Sequence, residues 1–308
     1  MKLLPRKALI LGANGLLGQN LVRVFAEDYE TLACATHPES RAPRVGVQYV
    51  RCDITSRDEI KKLVKNFIPN YIVNAAAFTD VDGSETKREE CWRVNATAVG
   101  YLAEAAKSID ARLVHVSTDY IFDGTAAPYN EENRPEPLGY YGKAKLAGEN
   151  ALAASKANYA IGRTMVLYGV GQNLRLNFVT WLIGQLRERK EVRIVNDQYG
   201  NPTLASELAA ALRKLAESKA SGVFHLSGAE IVSRYAFALA VARVFALDEK
   251  LIRPVTTADL KQAAKRPMNS GFDISKAQRE LGVNMSNVEE GLRKFRRELE
   301  TAVLPGLN

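Results

Sequence analysis

Two residues four apart, Tyr141 and Lys145, hold the chemistry that the rest of the chain must serve. The apolar positions after them, Leu146, Ala147 and Leu152, predict a helix, and on a helix that spacing places both side chains on one face. A tyrosine with a pKa of about 10 exchanges protons poorly at neutral pH. An ammonium beside it favours the phenolate and brings the pKa toward the working range. Tyr140 has Ala144 at the same spacing, so the pattern selects Tyr141. A lone Y-x-x-x-K is common by chance, and an exposed helical pair is its ordinary reading. Here a hydroxyl pair, Ser117-Thr118, ends an apolar run one element earlier, and a glycine turn opens the chain. The three together point to a tyrosine that moves a proton beside a bound dinucleotide.

That glycine turn is Lys7-Ala-Leu-Ile-Leu-Gly-Ala-Asn-Gly-Leu-Leu-Gly18. Ala8 to Leu11 reads as a buried parallel strand. The run breaks at Gly12, Gly15 and Gly18, then resumes with helical spacing through Leu21, Val22, Val24 and Phe25. Glycine lets the backbone turn tightly and approach a pyrophosphate, and a helix N-terminus offers free N–H groups and a positive dipole. The spacing is G-x-x-G-x-x-G, one residue longer than G-x-G-x-x-G.

The elements that position these residues alternate. Strands are predicted over 31–36, 47–52, 71–75 and 112–116, with helices after Ser56, a plausible N-cap, and over 85–106. This βαβα order predicts a doubly wound (Rossmann) parallel sheet with helices on both faces. Ligands of such sheets sit at the carboxyl ends of the strands. The second strand ends in Thr36-His37, with Arg41 near by and no acidic residue before Glu39. A ribose 2′-hydroxyl is usually bound by a carboxylate there, so Thr36, His37 and Arg41 favour a 2′-phosphate: NADP preferred, NAD tolerated. Asp53-Ile54 follows the third strand, where Asp53 either meets an adenine amino group or only caps the next helix. Ala75, Ala76 and Ala77 let a flat ring approach the backbone. In the second half, helices are predicted over 178–186, 206–216, 233–245 and 288–303, and short strands over 192–195 and 223–226. Arg175, Asn177, Arg234 and Arg266 are candidates for a diphosphate.

Bulk properties limit the alternatives. A chain of 308 residues, 46% hydrophobic and 25% charged, holds one large α/β domain or a domain with a lobe. The net charge of +7 comes without a basic run or nucleic-acid motif, so it suits anionic ligands rather than nucleic acid. Cys34, Cys52 and Cys91 fit no metal-site spacing and read as buried thiols in a reducing compartment. His37, His115 and His225 do not cluster, and His115 reads as a satisfied core residue. No signal peptide and no membrane-length apolar run is evident, which leads to the expectation of a cytoplasmic enzyme with no metal and no membrane partner.

These motifs carry a resemblance over nearly the whole chain. The glycine turn, Asn74-Ala-Ala-Ala-Phe-Thr-Asp-Val-Asp82, Val94-Asn-Ala96, Ser117-Thr-Asp-Tyr-Ile-Phe-Asp-Gly124, Tyr141-Gly-Lys-Ala-Lys-Leu-Ala-Gly-Glu149, Asp197-Gln-Tyr-Gly-Asn-Pro-Thr203, His225-Leu-Ser-Gly228 and Lys265-Arg-Pro267 resemble the extended short-chain dehydrogenase/reductases. Within them they resemble the dTDP-4-dehydrorhamnose reductase family of dTDP-L-rhamnose synthesis. The resemblance implies a mainly NAD(P)-binding domain over 1–168 and a smaller substrate lobe over 169–308, with some segments returning to the main sheet. It implies that Gly12, Asn14, Gly15, Leu16 and Leu17 line the pyrophosphate and adenosine side. Asp53 and Ile54 would hold the adenine, and Ala75, Ala76 and Ala77 would face the cofactor. Thr118 would bond the substrate carbonyl with Asp119 beside it. Tyr141 would donate the proton, and Lys145 would bond the nicotinamide ribose and lower the Tyr141 pKa. The substrate implied is a nucleotide-linked 4-keto-6-deoxysugar, and a homodimer is expected.

One departure bears on that substrate. The family usually reads Arg-Thr-Ser-Trp-Val-Tyr-Gly where this chain reads Arg163-Thr-Met-Val-Leu-Tyr-Gly169. Val166 therefore stands at a sugar-contacting position usually held by an indole, a broader apolar wall. Two further readings stay open: a non-catalytic dinucleotide-binding regulatory subunit of the methionine adenosyltransferase type, and a reductase or epimerase of another sugar nucleotide.

Overall fold

The computed structural model describes residues 5–302 except 38 and 261. Strands β1 (Lys7–Leu11), β2 (Glu30–Ala35), β3 (Gln48–Arg51), β4 (Tyr71–Asn74), β5 (Arg112–Thr118) and β6 (Tyr159–Thr164) alternate with helices α1 (Leu16–Phe25), α2 (Arg57–Phe67), α3 (Arg88–Trp92), α4 (Ala98–Ser108) and α5 (Tyr140–Ser155). The second half adds β7 (Leu167–Tyr168), α6 (Phe178–Arg187), β8 (Val192–Val195), β9 (Tyr199–Gly200), β10 (Thr203–Leu204) and α7 (Ala205–Glu217). It continues with β11 (Gly222–His225), β12 (Val232–Ser233), α8 (Arg234–Val244), β13 (Ile252–Val255), α9 (Thr257–Leu260), α10 (Ser275–Leu281) and α11 (Val288–Thr301).

Seven strands form one parallel sheet in the order β11-β6-β5-β4-β1-β2-β3. The order reverses between β1 and β4, so the crevice for a ligand opens at their carboxyl ends. Strand β1 explains why both faces are covered. Ala8 and Ile10 join one buried cluster, with α1 and α7; Leu9 and Leu11 join another, with α2 and α4. All four are fully buried, and each large aliphatic side chain contributes about 1.5–3 kcal/mol of apolar burial. A third cluster joins α6, α8 and α11 around Ile194, Phe237, Leu292 and Phe295, beyond the sheet's edge.

Ser56 caps α2 by accepting from Glu59 N, as its sequence position suggested. The single helix expected over 85–106 is broken instead. A 3₁₀ turn, Gly83–Glu85, leads to α3, then a π-helical turn, Arg93–Thr97, precedes α4. Buried Asn95 lies in the π-helical turn: its amide donates to Phe78 O and accepts from Phe78 N, both at 2.9 Å, clamping the segment after β4. The strand expected over 71–75 stops at Asn74, whose Oδ1 accepts from Ala76 N and turns the chain outward. The helix expected over 288–303 ends at Thr301, and its expected last residue lies outside the described residues.

Candidate active site

Helix α5 carries Tyr141, Lys145 and Glu149 at four-residue steps, and all three are buried against the sheet. The helix lies directly on the 3₁₀ turn after β5, Asp119–Ile121, because a side chain at Gly142 would overlap the Tyr120 carbonyl. Tyr141 meets Tyr120 edge-on, ring centroids 5.5 Å apart, with Thr118 beside it. Burial pushes the Tyr141 hydroxyl well above its usual value. The neighbouring Thr118 pulls it down, while the Asp119 charge adds to the rise.

Lys145 is 2% exposed. Its Nζ donates to Val116 O at 2.7 Å and lies 3.4 Å from His115 Nε2. Burial lowers its pKa to about 8, against Glu149 and Cys91, which raise it. The ammonium expected to lower the Tyr141 pKa is thus held on β5, and burial leads in setting the tyrosine. One turn on, Glu149 makes a two-pronged buried ion pair with Arg163 of β6, at 3.0 and 2.7 Å. Arg163 in turn lies 3.4 Å from His225.

Asp119 is buried beside Thr118. Thr118 Oγ1 donates to Asp119 Oδ1 at 3.1 Å, and Ser270 Oγ donates to Oδ2 at 2.6 Å. Burial raises this carboxyl, while Ser270, Arg234 and Thr118 oppose the rise. The half-buried Arg234 guanidinium lies over the Phe178 ring at 6.0 Å and faces Tyr120 and Asp119.

At the other end of the crevice, Gly12 holds φ of +77°, and a Cβ there would lie 2.6 Å from Ala76 N. Gly12 is therefore brought against the backbone of Ala75 and Ala76. Gly18 has no room for a side chain against Gly12 O, so α1 packs tightly onto the turn. Gly15 precedes α1 and no side chain caps the helix, leaving N–H groups in the first turn with Leu16. Leu17 and Ile54 are core residues, in the two clusters on opposite faces of the sheet. Asn14 ties the loop after β2 to the turn: Nδ2 donates to Glu39 O and Oδ1 accepts from Arg41 N, both at 2.9 Å. Thr36 and His37 lie exposed on that loop, and His37 Nδ1 accepts from Glu39 N. Asp53 closes a turn with Thr55 rather than capping α2 itself.

Val166 is half-buried with φ of +47°, a left-handed conformation rare for a β-branched residue. Its neighbour Met165 touches Ser270, which joins it to the Asp119 end. Two of the diphosphate candidates have other employment. Asn177 caps α6, accepting from Val179 N and Thr180 N. Arg266 makes a two-pronged ion pair with Asp82. Arg175 is exposed.

Sequence reasoning passed over Ser270, Arg51 and the polar contacts of His115. Arg51 Nε donates to Thr36 O at 3.3 Å, placing a guanidinium beside the β2 loop. The register that pairs Ala35 with Arg51 across β2 and β3 sets that placement, and the sequence alone does not show it.

The pattern of the family described as RmlD substrate binding domain matches residues 6–301. The chain is 34% identical over 304 residues to the dTDP-4-dehydrorhamnose reductase of Aggregatibacter actinomycetemcomitans, covering 94% of this chain and 98% of that one. It is 33% identical over 302 residues to the methionine adenosyltransferase 2 subunit beta of Mus musculus, covering 94% and 88%. Its fold is similar to the crystal structure of dTDP-4-dehydrorhamnose reductase from Bacillus anthracis in complex with NADP, with a TM-score of 0.87, 31% identity, and 96% and 100% of the two chains covered.

Proposed function

The chain belongs to the RmlD substrate-binding-domain family, and from that premise we propose that it is an NAD(P)H-dependent reductase of a nucleotide-linked 4-keto-6-deoxysugar, of the dTDP-4-dehydrorhamnose reductase kind. The observation that carries this reading is the meeting of Thr118, Asp119, Tyr141 and Lys145 at the carboxyl end of β5, beside a crevice floored by Gly12.

The residues present fit a dinucleotide. The glycine at position 12 lets the turn lie directly on the Ala75–Ala76 backbone at the strand ends, and the uncapped start of α1 offers N–H groups to a pyrophosphate. Gly12, Gly15, Leu16 and Leu17 would hold the pyrophosphate through their backbone, while Asn14 positions the β2 loop. Thr36, His37, Arg41 and Arg51 make the ribose end cationic or neutral, which favours NADP, with NAD tolerated. Asp53 and Ile54 would border the adenine, and Ala75, Ala76 and Ala77 the flat face of the cofactor.

Reduced nicotinamide, when bound, supplies hydride for the sugar's C4 carbonyl. The chain supplies the rest. Tyr141, kept protonated by burial, holds the proton that the new alkoxide takes. Thr118 orients that phenol, and Asp119 fixes Thr118. Lys145, one turn on from the tyrosine, would bond the nicotinamide ribose. Val166 borders the sugar and Arg234 is the arginine best placed for a diphosphate. In this proposal residues 1–168 serve mainly the cofactor and 169–308 mainly the substrate, and the protein works as a cytoplasmic homodimer.

Incubating the purified protein with dTDP-4-keto-6-deoxy-L-mannose and NADPH, then identifying the product, tests the assignment. Formation of dTDP-L-rhamnose with loss of reduced-cofactor absorbance is expected. No oxidation of NADPH or NADH on any keto-sugar, with co-purification of a synthetase, would favour a regulatory subunit instead.

A further inference from the structure

Behind the site runs a chain of three buried side chains that reach no solvent. Asn74, His115 and Lys145 are 0%, 1% and 2% exposed. Asn74 stands at the end of β4, directly across from His115 on β5, and Lys145 comes down from α5. Asn74 Nδ2 lies 3.1 Å from His115 Nδ1, and His115 Nε2 lies 3.4 Å from Lys145 Nζ.

The orientation of the Asn74 amide is forced. Its oxygen accepts from Ala76 N at 3.1 Å; turned over, the NH₂ group would face another N–H. The NH₂ group is therefore the one that meets His115. An NH₂ group can only donate, so Nδ1 must be the acceptor, and a neutral imidazole then has its proton on Nε2. His115 is held neutral by burial, with the Lys145 charge acting the same way. The Nε2–H consequently points at Lys145, whose ammonium has only donors to offer in return.

We propose that Asn74 and His115 are a positioning pair for Lys145: Asn74 fixes the Nε2–H tautomer of His115, and that N–H disfavours the ammonium of Lys145 relative to the neutral amine. The amine satisfies every partner. Its lone pair accepts Nε2–H while one of its hydrogens goes to Val116 O. The other groups that face Lys145 are Glu149 on its own helix and Cys91 on α3, and both favour the ammonium. Burial acts in the same direction as His115 and brings the lysine to about 8. The pair makes Lys145 a group whose charge responds to pH near neutrality, and it links that response to the Ala76 backbone on the cofactor wall. The inference deepens the reductase reading, on which its catalytic meaning rests.

Full-length protein labelled with ¹⁵N-histidine and ¹³C-lysine tests it without any turnover. His115→Gln identifies the ring signals and Lys145→Met the lysine signal. The wild type should show an unprotonated, pyridine-type Nδ1 and a protonated Nε2. Asn74→Asp keeps the acceptor for Ala76 N but can only accept from Nδ1. It should move the imidazole proton to Nδ1 and raise the Lys145 midpoint from about 8 by a unit or more, about tenfold in the protonation equilibrium. The new carboxylate also attracts the ammonium, so the midpoint must move together with the ring nitrogen signals. A wild-type ring protonated on Nδ1, or a folded Asn74→Asp protein with both signals unmoved, overturns the proposal. Should Asn74→Asp not fold, His115→Gln should raise the midpoint, because its amide oxygen can turn to the ammonium; an unmoved midpoint there also overturns it. A protein with the stated tautomer and midpoint that reduces no keto-sugar leaves the pair standing and removes the reductase reading.

Discussion

Ser270 Oγ donates a 2.6 Å hydrogen bond to the buried carboxylate of Asp119, joining positions 151 residues apart. Through Asp119 Oδ1, the same carboxylate fixes the hydroxyl of Thr118, so the second half of the chain helps hold the proton-handling residues of the first.

Removing that donor gives the first prediction. Burial raises the Asp119 pKa, so ionising it costs native stability. The cost is absent below the unfolded carboxylate value of about 3.9 and grows as pH rises through the folded value. Ser270→Ala should lose about 1–3 kcal/mol at neutral pH and less in mild acid, seen as a pH-dependent fall in Tm. An equal fall at both pH values contradicts this.

Lys145 should show the opposite trade between stability and activity. Its folded pKa of about 8 lies below the unfolded value of about 10.4, so the unfolded chain binds the extra proton between those values and stability rises with pH across that window. The shift corresponds to roughly 3 kcal/mol. Lys145→Met should abolish most turnover and flatten the alkaline rise in stability measured by urea unfolding. An unchanged alkaline rise in the variant would show that another group causes it.

At the cofactor end, Arg51 touches Thr36 O and Arg41 is anchored by Asn14. Arg41→Ala and Arg51→Ala should each weaken NADPH about tenfold and NADH much less, because a charge-assisted bond to a 2′-phosphate is worth about 1.5–3 kcal/mol. Fluorescence titration with both cofactors checks this. Equal losses for the two would place neither arginine at the phosphate.

Val166 is held at φ of +47° while its carbonyl accepts from Thr203 N at 3.1 Å. Val166→Ala should raise KM for the keto-sugar several-fold and leave kcat and NADPH binding near wild type, the signature of lost uniform binding. A fall in kcat at unchanged KM would place Val166 at the reacting centre instead.

Much of this was legible in the sequence where local geometry demands a residue type. Gly12 and Gly18 are required by contacts that any side chain would block, and Tyr141 and Lys145 declare themselves by helical spacing. What stayed hidden depends on docking. Lys145 meets His115 and Val116 only once α5 lies on β5, and Ser270 reaches Asp119 only through the closed fold. Asn177 and Arg266 resembled phosphate ligands because a helix cap and a distant ion pair with Asp82 leave no mark on nearby residues. The π-helical turn at Arg93–Thr97 was missed because its periodicity is helical, and the clamp from Asn95 in that turn to Phe78 leaves no local mark in the sequence.

The central claim is that the Tyr141 phenol protonates a reduced sugar carbonyl, and Tyr141→Phe tests it most directly. With dTDP-4-keto-6-deoxy-L-mannose and NADPH, kcat should fall by about 10²–10⁴-fold while the Kd for NADPH stays near that of the wild type. Undiminished turnover in a folded, NADPH-binding Tyr141→Phe protein would contradict the account.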